Sequence, residues 1–130
     1  MKGVTVLGGT NACYEHIDLR TAAASGTKDV YKGVFADTSA NGKLLRQAFL
    51  LAFPRQEIID KIIKPVNSSA VTVDSTFVMP GQSNYTTISS QNGYSKYSKG
   101  SQEDRTAQAL RIVQKIYPKA SATNPVVPVR

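Results

Sequence analysis

The segment from Ser101 to Ile116 constrains the fold of this chain more than any other stretch. Ala109, Leu110, Ile112, Val113, Ile116 and Tyr117 recur at helical spacing and make a wide apolar stripe. Arg105, Arg111 and Lys115 occupy the remaining face. Ser101 stands where its side chain accepts the amide of Asp104, and Glu103 and Asp104 sit at the positive end of the helix dipole. Pro118 stops the element, because it has no amide to donate.

A second helical pattern lies in the middle of the chain. Between Lys43 and Phe53, residues Leu44, Leu45, Ala48, Leu51 and Ala52 fall on one side of the wheel, and Pro54 interrupts the run. From Glu57 to Lys64 the spacing resumes with Ile58, Ile59, Ile62 and Ile63, ending at Lys64-Pro65. The pair reads as one kinked helix or two short ones. Isoleucine also favours strands, so the second piece is compatible with a strand as well.

Strand signals fill the remainder. Gly3 to Leu7 is β-branched and stopped by Gly8-Gly9, Cys13 to Leu19 alternates loosely as its hairpin partner, and Asp29 to Ala36 supplies a third strand. Val71, Val73, Phe77 and Met79 alternate with Thr72, Asp74, Thr76 and Val78 in the clearest strand pattern of all. Gln82 to Lys99 has Ile88 as its sole aliphatic residue. It reads as an exposed hairpin turning at Asn92-Gly93, or as a long mobile loop. The expected fold class is therefore α+β: an antiparallel β-sheet, a C-terminal amphipathic helix and a helical or mixed middle segment. Residues 1–118 are expected to form one domain, with 119–130 as an extended arm around Pro125 and Pro128.

At 130 residues the chain is long enough to bury a core without staples, and its single cysteine, Cys13, excludes an internal disulfide. The N-terminus lacks the long apolar stretch of a secretory signal, and no apolar run approaches membrane-spanning length. A cytoplasmic or virion location is expected, with no role for the membrane.

Sixteen basic against nine acidic residues give a net charge of +7, which favours a polyanion partner. The charge is segregated. The last 35 residues hold seven basic residues against Glu103 and Asp104, whereas 65–95 contains only Asp74. Tyr94 and Tyr97 offer flat faces for unpaired bases beside Lys96, Lys99, Arg105, Arg111 and Lys115, which are suited to neutralising phosphates. Tyr85 belongs to the same polar, ring-bearing stretch. A solvated polar loop is the plain alternative.

Catalytic patterns are incomplete. Val4 to Asn11 resembles the strand-to-glycine-loop start of a nucleotide fold, but the Gly-x-Gly-x-x-Gly spacing is missing. Cys13, Glu15, His16 and Asp18 cluster, yet one Cys and one His are too few for a zinc site, and on a strand Cys13 and His16 face opposite ways. Asp29, Asp37, Asp60 and Asp74 show no paired spacing. The expectation is a protein without catalytic residues, metal or cofactor.

The segment Ala70 to Pro80 and the helix from Ser101 to Ile116, with the Pro/Val ending 125–130, together resemble the coat proteins of single-stranded RNA bacteriophages. That resemblance covers under half of the chain and transfers no individual site residue. It implies a sheet-built subunit that pairs with a second copy and binds an RNA hairpin. The expected role is thus a self-assembling structural protein that binds nucleic acid, RNA favoured, of the coat-protein kind. The alternative is a small interaction module or inhibitor that meets an acidic protein partner, with Val126 to Val129 as its docking strand.

Overall fold

A computed structural model describes residues 3–4, 14–23, 26, 31–36 and 39–124. Its elements are α1 (Ala40–Ala52), α2 (Arg55–Ile58) continuing into a π-helical turn (Ile59–Ile63), α3 (Tyr85–Gln91), a 3₁₀ turn (Tyr94–Tyr97) and α4 (Gln102–Gln114). The chain divides into two compact units. The first comprises Met1–His16 and Pro54–Ser95, the second Ile17–Phe53 and Lys96–Arg130.

The expected α+β fold with an antiparallel sheet is corrected by these elements. Four helices and no strand are found among the described residues, and the only β-type pairing there is an isolated bridge between Ser121 and Asn124. The described part of the protein is helical. Residues 14–19 are irregular rather than a hairpin strand, and 31–36 form a turn closed by the Ala36 amide on the Gly33 carbonyl (3.0 Å). Residues 5–7, Cys13, Asp29, Asp37 and the 125–130 tail lie outside the described residues.

The helices that the apolar periodicity predicts do form. In the second unit α4 begins at Ser101, whose side chain accepts from the Asp104 amide at 3.0 Å. Gly100 precedes it with φ +76°, a conformation that a side chain would disfavour. α1 and α4 run in opposite directions and share a core of Ala48, Leu51 and Ala109, flanked by Ala52, Tyr97, Ile112 and Val113. Gln102 Nε2 donates to the Ala52 carbonyl (2.9 Å), tying the start of α4 to the end of α1. The opposite end of α1 packs on the 35–36 turn so closely that a Cβ at Gly42 would stand 2.2 Å from the Ala36 carbonyl oxygen. Arg46 adds a hydrogen bond to the Phe35 carbonyl (2.6 Å).

The first unit is organised around Asp74. Its carboxylate pairs with Arg55 at 3.1 Å, its amide donates to the Tyr85 hydroxyl at 2.9 Å, and its carbonyl accepts from the Asn92 side chain at 2.5 Å. These contacts explain why the clearest strand pattern does not become a strand. At Asp74 the backbone is satisfied by side chains from the two ends of α3, and no neighbouring strand is needed. Ser75, buried at 3% exposure, then accepts from the amides of Phe77 and Val78 and ends the extended run.

The hairpin expected at Gln82 to Lys99 is likewise corrected to α3 and the 3₁₀ turn. The Asn92-Gly93 pair serves a helix end. Asn92 caps α3 in a right-handed conformation, and Gly93 follows with φ +75°. The dipeptide that marks a type I′ turn also marks a helix C-terminus, and local sequence does not separate the two.

Replacing Tyr85 with Phe removes the acceptor for the Asp74 amide. Amide hydrogen exchange at Asp74 should then accelerate, with a stability loss of about 1 kcal/mol. Unchanged exchange at that amide would show that the hydroxyl does not hold the segment.

Candidate nucleic-acid interface

The residues singled out from the sequence divide between the two units. Tyr94 belongs to the first; Lys96, Tyr97, Lys99, Arg105, Arg111 and Lys115 belong to the second. Tyr94 is 47% exposed and offers a ring to solvent. Tyr97 does not, because it packs against the Ala48–Leu51–Ala109 core and Lys96 Nζ stands 4.8 Å from its ring centroid. That geometry makes Tyr97 a packing residue and leaves Lys96 stacked over it.

Arg105 is withdrawn from the surface. It is 6% exposed, and one terminal nitrogen donates to three carbonyls in succession: Ser98 (3.2 Å), Lys99 (3.3 Å) and Gly100 (2.7 Å). The other terminal nitrogen donates to Gln102 Oε1 at 2.7 Å, and the buried Nε has no partner among the described residues. A guanidinium keeps its charge and presents several donors in a fixed fork, so it can gather carbonyls in a tight turn without a carboxylate. The sequence placed Arg105 on the polar face of α4. Its length and position one turn into the helix instead let it fold back under the 98–100 turn.

Lys96, Lys99, Arg111, Lys115 and Lys119 are exposed. Lys99 stands just before the Ser101 cap, with Glu103 and Asp104 following at once. At the other end of α4, Arg111 and Lys115 lie four residues apart and so share a helix face, and Lys119 follows beyond Pro118. No acidic residue occurs anywhere from 105 to 130. The carbonyl end of the helix dipole also favours cations here. The 1.5 Å rise per residue puts roughly 20 Å between the two ends of α4. The expected single cluster is therefore two basic regions on one unit, and the C-terminal one is free of local acids. Lys119 lies past the end of α4, and the signal for it in the sequence is its place in the acid-free basic run from 105 onward.

Charge is partitioned along the same division. The second unit contains twelve basic and five acidic residues, a net +7 that equals the charge of the whole chain. The first contains four of each and is neutral. Three of its four acids are engaged locally: besides Arg55–Asp74 there are exposed pairs Lys61–Glu57 and Lys64–Asp60, the latter at 2.6 Å. The hydrogen bond from Lys64, helped by Gln56, lowers the pKa of the Asp60 carboxyl, and the hydrogen bond to Glu57 raises that of Lys61. Such exposed pairs stabilise little, but they cancel charge.

Of the catalytic candidates, His16 is exposed beside the Tyr14 ring, 5.5 Å between centroids, and Cys13 lies outside the described residues. Among the described residues no group of three or more His, Cys, Asp or Glu is placed to hold a metal ion. No helix there is long and apolar enough to cross a membrane. Comparison with protein families, with curated proteins and with solved structures finds no match for this chain.

Replacing Arg105 with Ala leaves the 98–100 carbonyls without their donor, at about 1–3 kcal/mol for a buried group left unpaired. Chemical denaturation should show a loss of at least about 2 kcal/mol, with polyanion affinity of the folded fraction unchanged. A loss of affinity at full stability would return Arg105 to the binding surface.

Proposed function

We propose that this protein binds nucleic acid, RNA in preference, through the basic surface of its second unit, and that it does so as a structural, self-associating subunit of the packaging or coat kind. The observation that carries the reading is the placement of the whole +7 on one unit while the other is neutral. Cations gathered on one surface attract a phosphate chain far more strongly than the same charge spread evenly. Arg111, Lys115 and Lys119 form the main contact, with Lys96 and Lys99 as the second; Arg105 and Tyr97 hold the fold beneath them. The exposed Tyr94 ring belongs to the first unit and is proposed as a separate stacking platform there.

Self-association is supported by the first unit. Among its described residues no apolar side chain is fully buried, and Phe77 (87% exposed), Val66 (83%) and Ile62 (67%) face solvent. Exposed apolar side chains of this size on an uncharged unit suit contact with a second copy, where two +7 units would repel. The same apolar residues also suit the second reading, a module that captures an acidic protein partner.

Five neutralised phosphates on a single strand give a log–log salt slope of about −3.5. Reversing charge with Arg111→Glu and Lys115→Glu should weaken RNA binding at moderate salt and reduce that slope by about 1.4. An unchanged slope would remove both residues from the interface.

Light scattering of the purified chain, read with its absorbance ratio at 260 and 280 nm, should show an assembly larger than one chain with nucleic acid attached. Phe77→Ser with Val66→Ser should shift it toward monomer. A wild-type monomer at all concentrations ends the self-association reading.

A further inference from the structure

We propose that the cleft formed by the Tyr31–Ala36 turn, the start of α1 and Tyr117 receives an unpaired base of a single-stranded nucleic acid. The inference rests on the nucleic-acid reading above and names the chemical group that the second unit selects. The cleft has a volume of about 310 Å³ and is lined by Tyr31, Lys32, Ser39, Asn41, Leu45 and Tyr117 among others, all within that unit. That volume lies at the small end of ligand pockets, and the cleft is open to solvent, so a base still attached to its chain can enter.

The lining favours a planar, uncharged ring over a phosphate. Tyr31 and Tyr117 make the lining aromatic, Leu45 makes it apolar, and Lys32 is the one charged side chain among these residues. Asn41 carries both a donor and an acceptor, the combination that reads the edge of a base.

Tyr31 is held in place before any ligand arrives. Its ring lies over Gly33, where a Cβ would stand 2.0 Å from the tyrosine oxygen, and the Arg20 guanidinium sits 4.8 Å from the ring centroid. Tyr117 is held by its own amide on the Val113 carbonyl (2.8 Å) and is followed by Pro118. Along the chain it stands between Lys115 and Lys119, two of the cations assigned to phosphates. A strand whose base enters the cleft would thus keep its flanking phosphates near positive charge.

The experiment compares two probes on the full chain by fluorescence anisotropy: a labelled single-stranded oligoribonucleotide and inorganic polyphosphate of equal charge as competitor. The wild type should prefer the oligoribonucleotide. Tyr117→Ala should cut its affinity by about tenfold, the scale of one lost base-stacking contact, with polyphosphate competition unchanged. Asn41→Ala, on the exposed first turn of α1, should weaken the same probe selectively, and keeps the test decisive if Tyr117→Ala fails to fold. Equal affinity for both probes, untouched by either variant, overturns the cleft and leaves the polyanion reading standing. Binding of neither probe in dilute buffer overturns both.

Discussion

Ala48 and Leu51 of α1 meet Ala109 of α4, and two of these three residues are alanines. Short side chains let two helix backbones approach closely, and close-packed interiors then leave little freedom in how the flanking groups arrange themselves. Ile112, Val113 and Tyr97 close over this contact, and Gln102 fixes its end through the Ala52 carbonyl. Once α4 is seated in this way, its polar face is committed to solvent. Arg111 and Lys115 are therefore exposed as a consequence of apolar packing on the other side of the same helix.

Arg105 shows how a charge can serve the fold instead of the surface. A buried cation is costly unless its donors are engaged, and here three carbonyls and one amide oxygen engage the terminal nitrogens. The turn that delivers those carbonyls also presents Lys99 and leads into the Ser101 cap. One residue thus joins the 3₁₀ turn to α4 and shapes the ground on which the neighbouring cations stand. Asp74 plays the corresponding part in the first unit, where a single acid gathers Arg55, Tyr85 and Asn92 and cancels charge at the same time.

The functional reading follows from this division of labour. Three of the four acids of the first unit are matched by nearby cations, and that unit carries no net charge. The second unit has cations in excess and an acid-free C-terminal stretch, and it also contains a cleft with aromatic walls. Electrostatic attraction draws a phosphate chain without regard to sequence, whereas stacking in a shaped cleft distinguishes a base from a bare polyphosphate.

Much of this was legible in the residues, and the misses have a common physical cause. The two long helices, the Pro54 break and the Ser101 cap rest on contacts within three or four residues, so periodicity and capping chemistry were sufficient to predict them. The excess of positive charge toward the C-terminus is likewise a property of the chain itself. The 71–79 segment alternates as a strand should, but alternation records only which positions suit an extended backbone. Whether a second strand pairs with it is a long-range matter, and here the Tyr85 and Asn92 side chains take that role. The burial of Arg105, the commitment of Tyr97 to the core and the meeting of Tyr31 with Tyr117 around one cleft likewise arise between residues distant in sequence or on opposite sides of a turn. Sequence determined the local helices and the sign of the charge; only tertiary packing decided which charged and aromatic groups stay at the surface, because burial is set by neighbours that the chain brings together through folding.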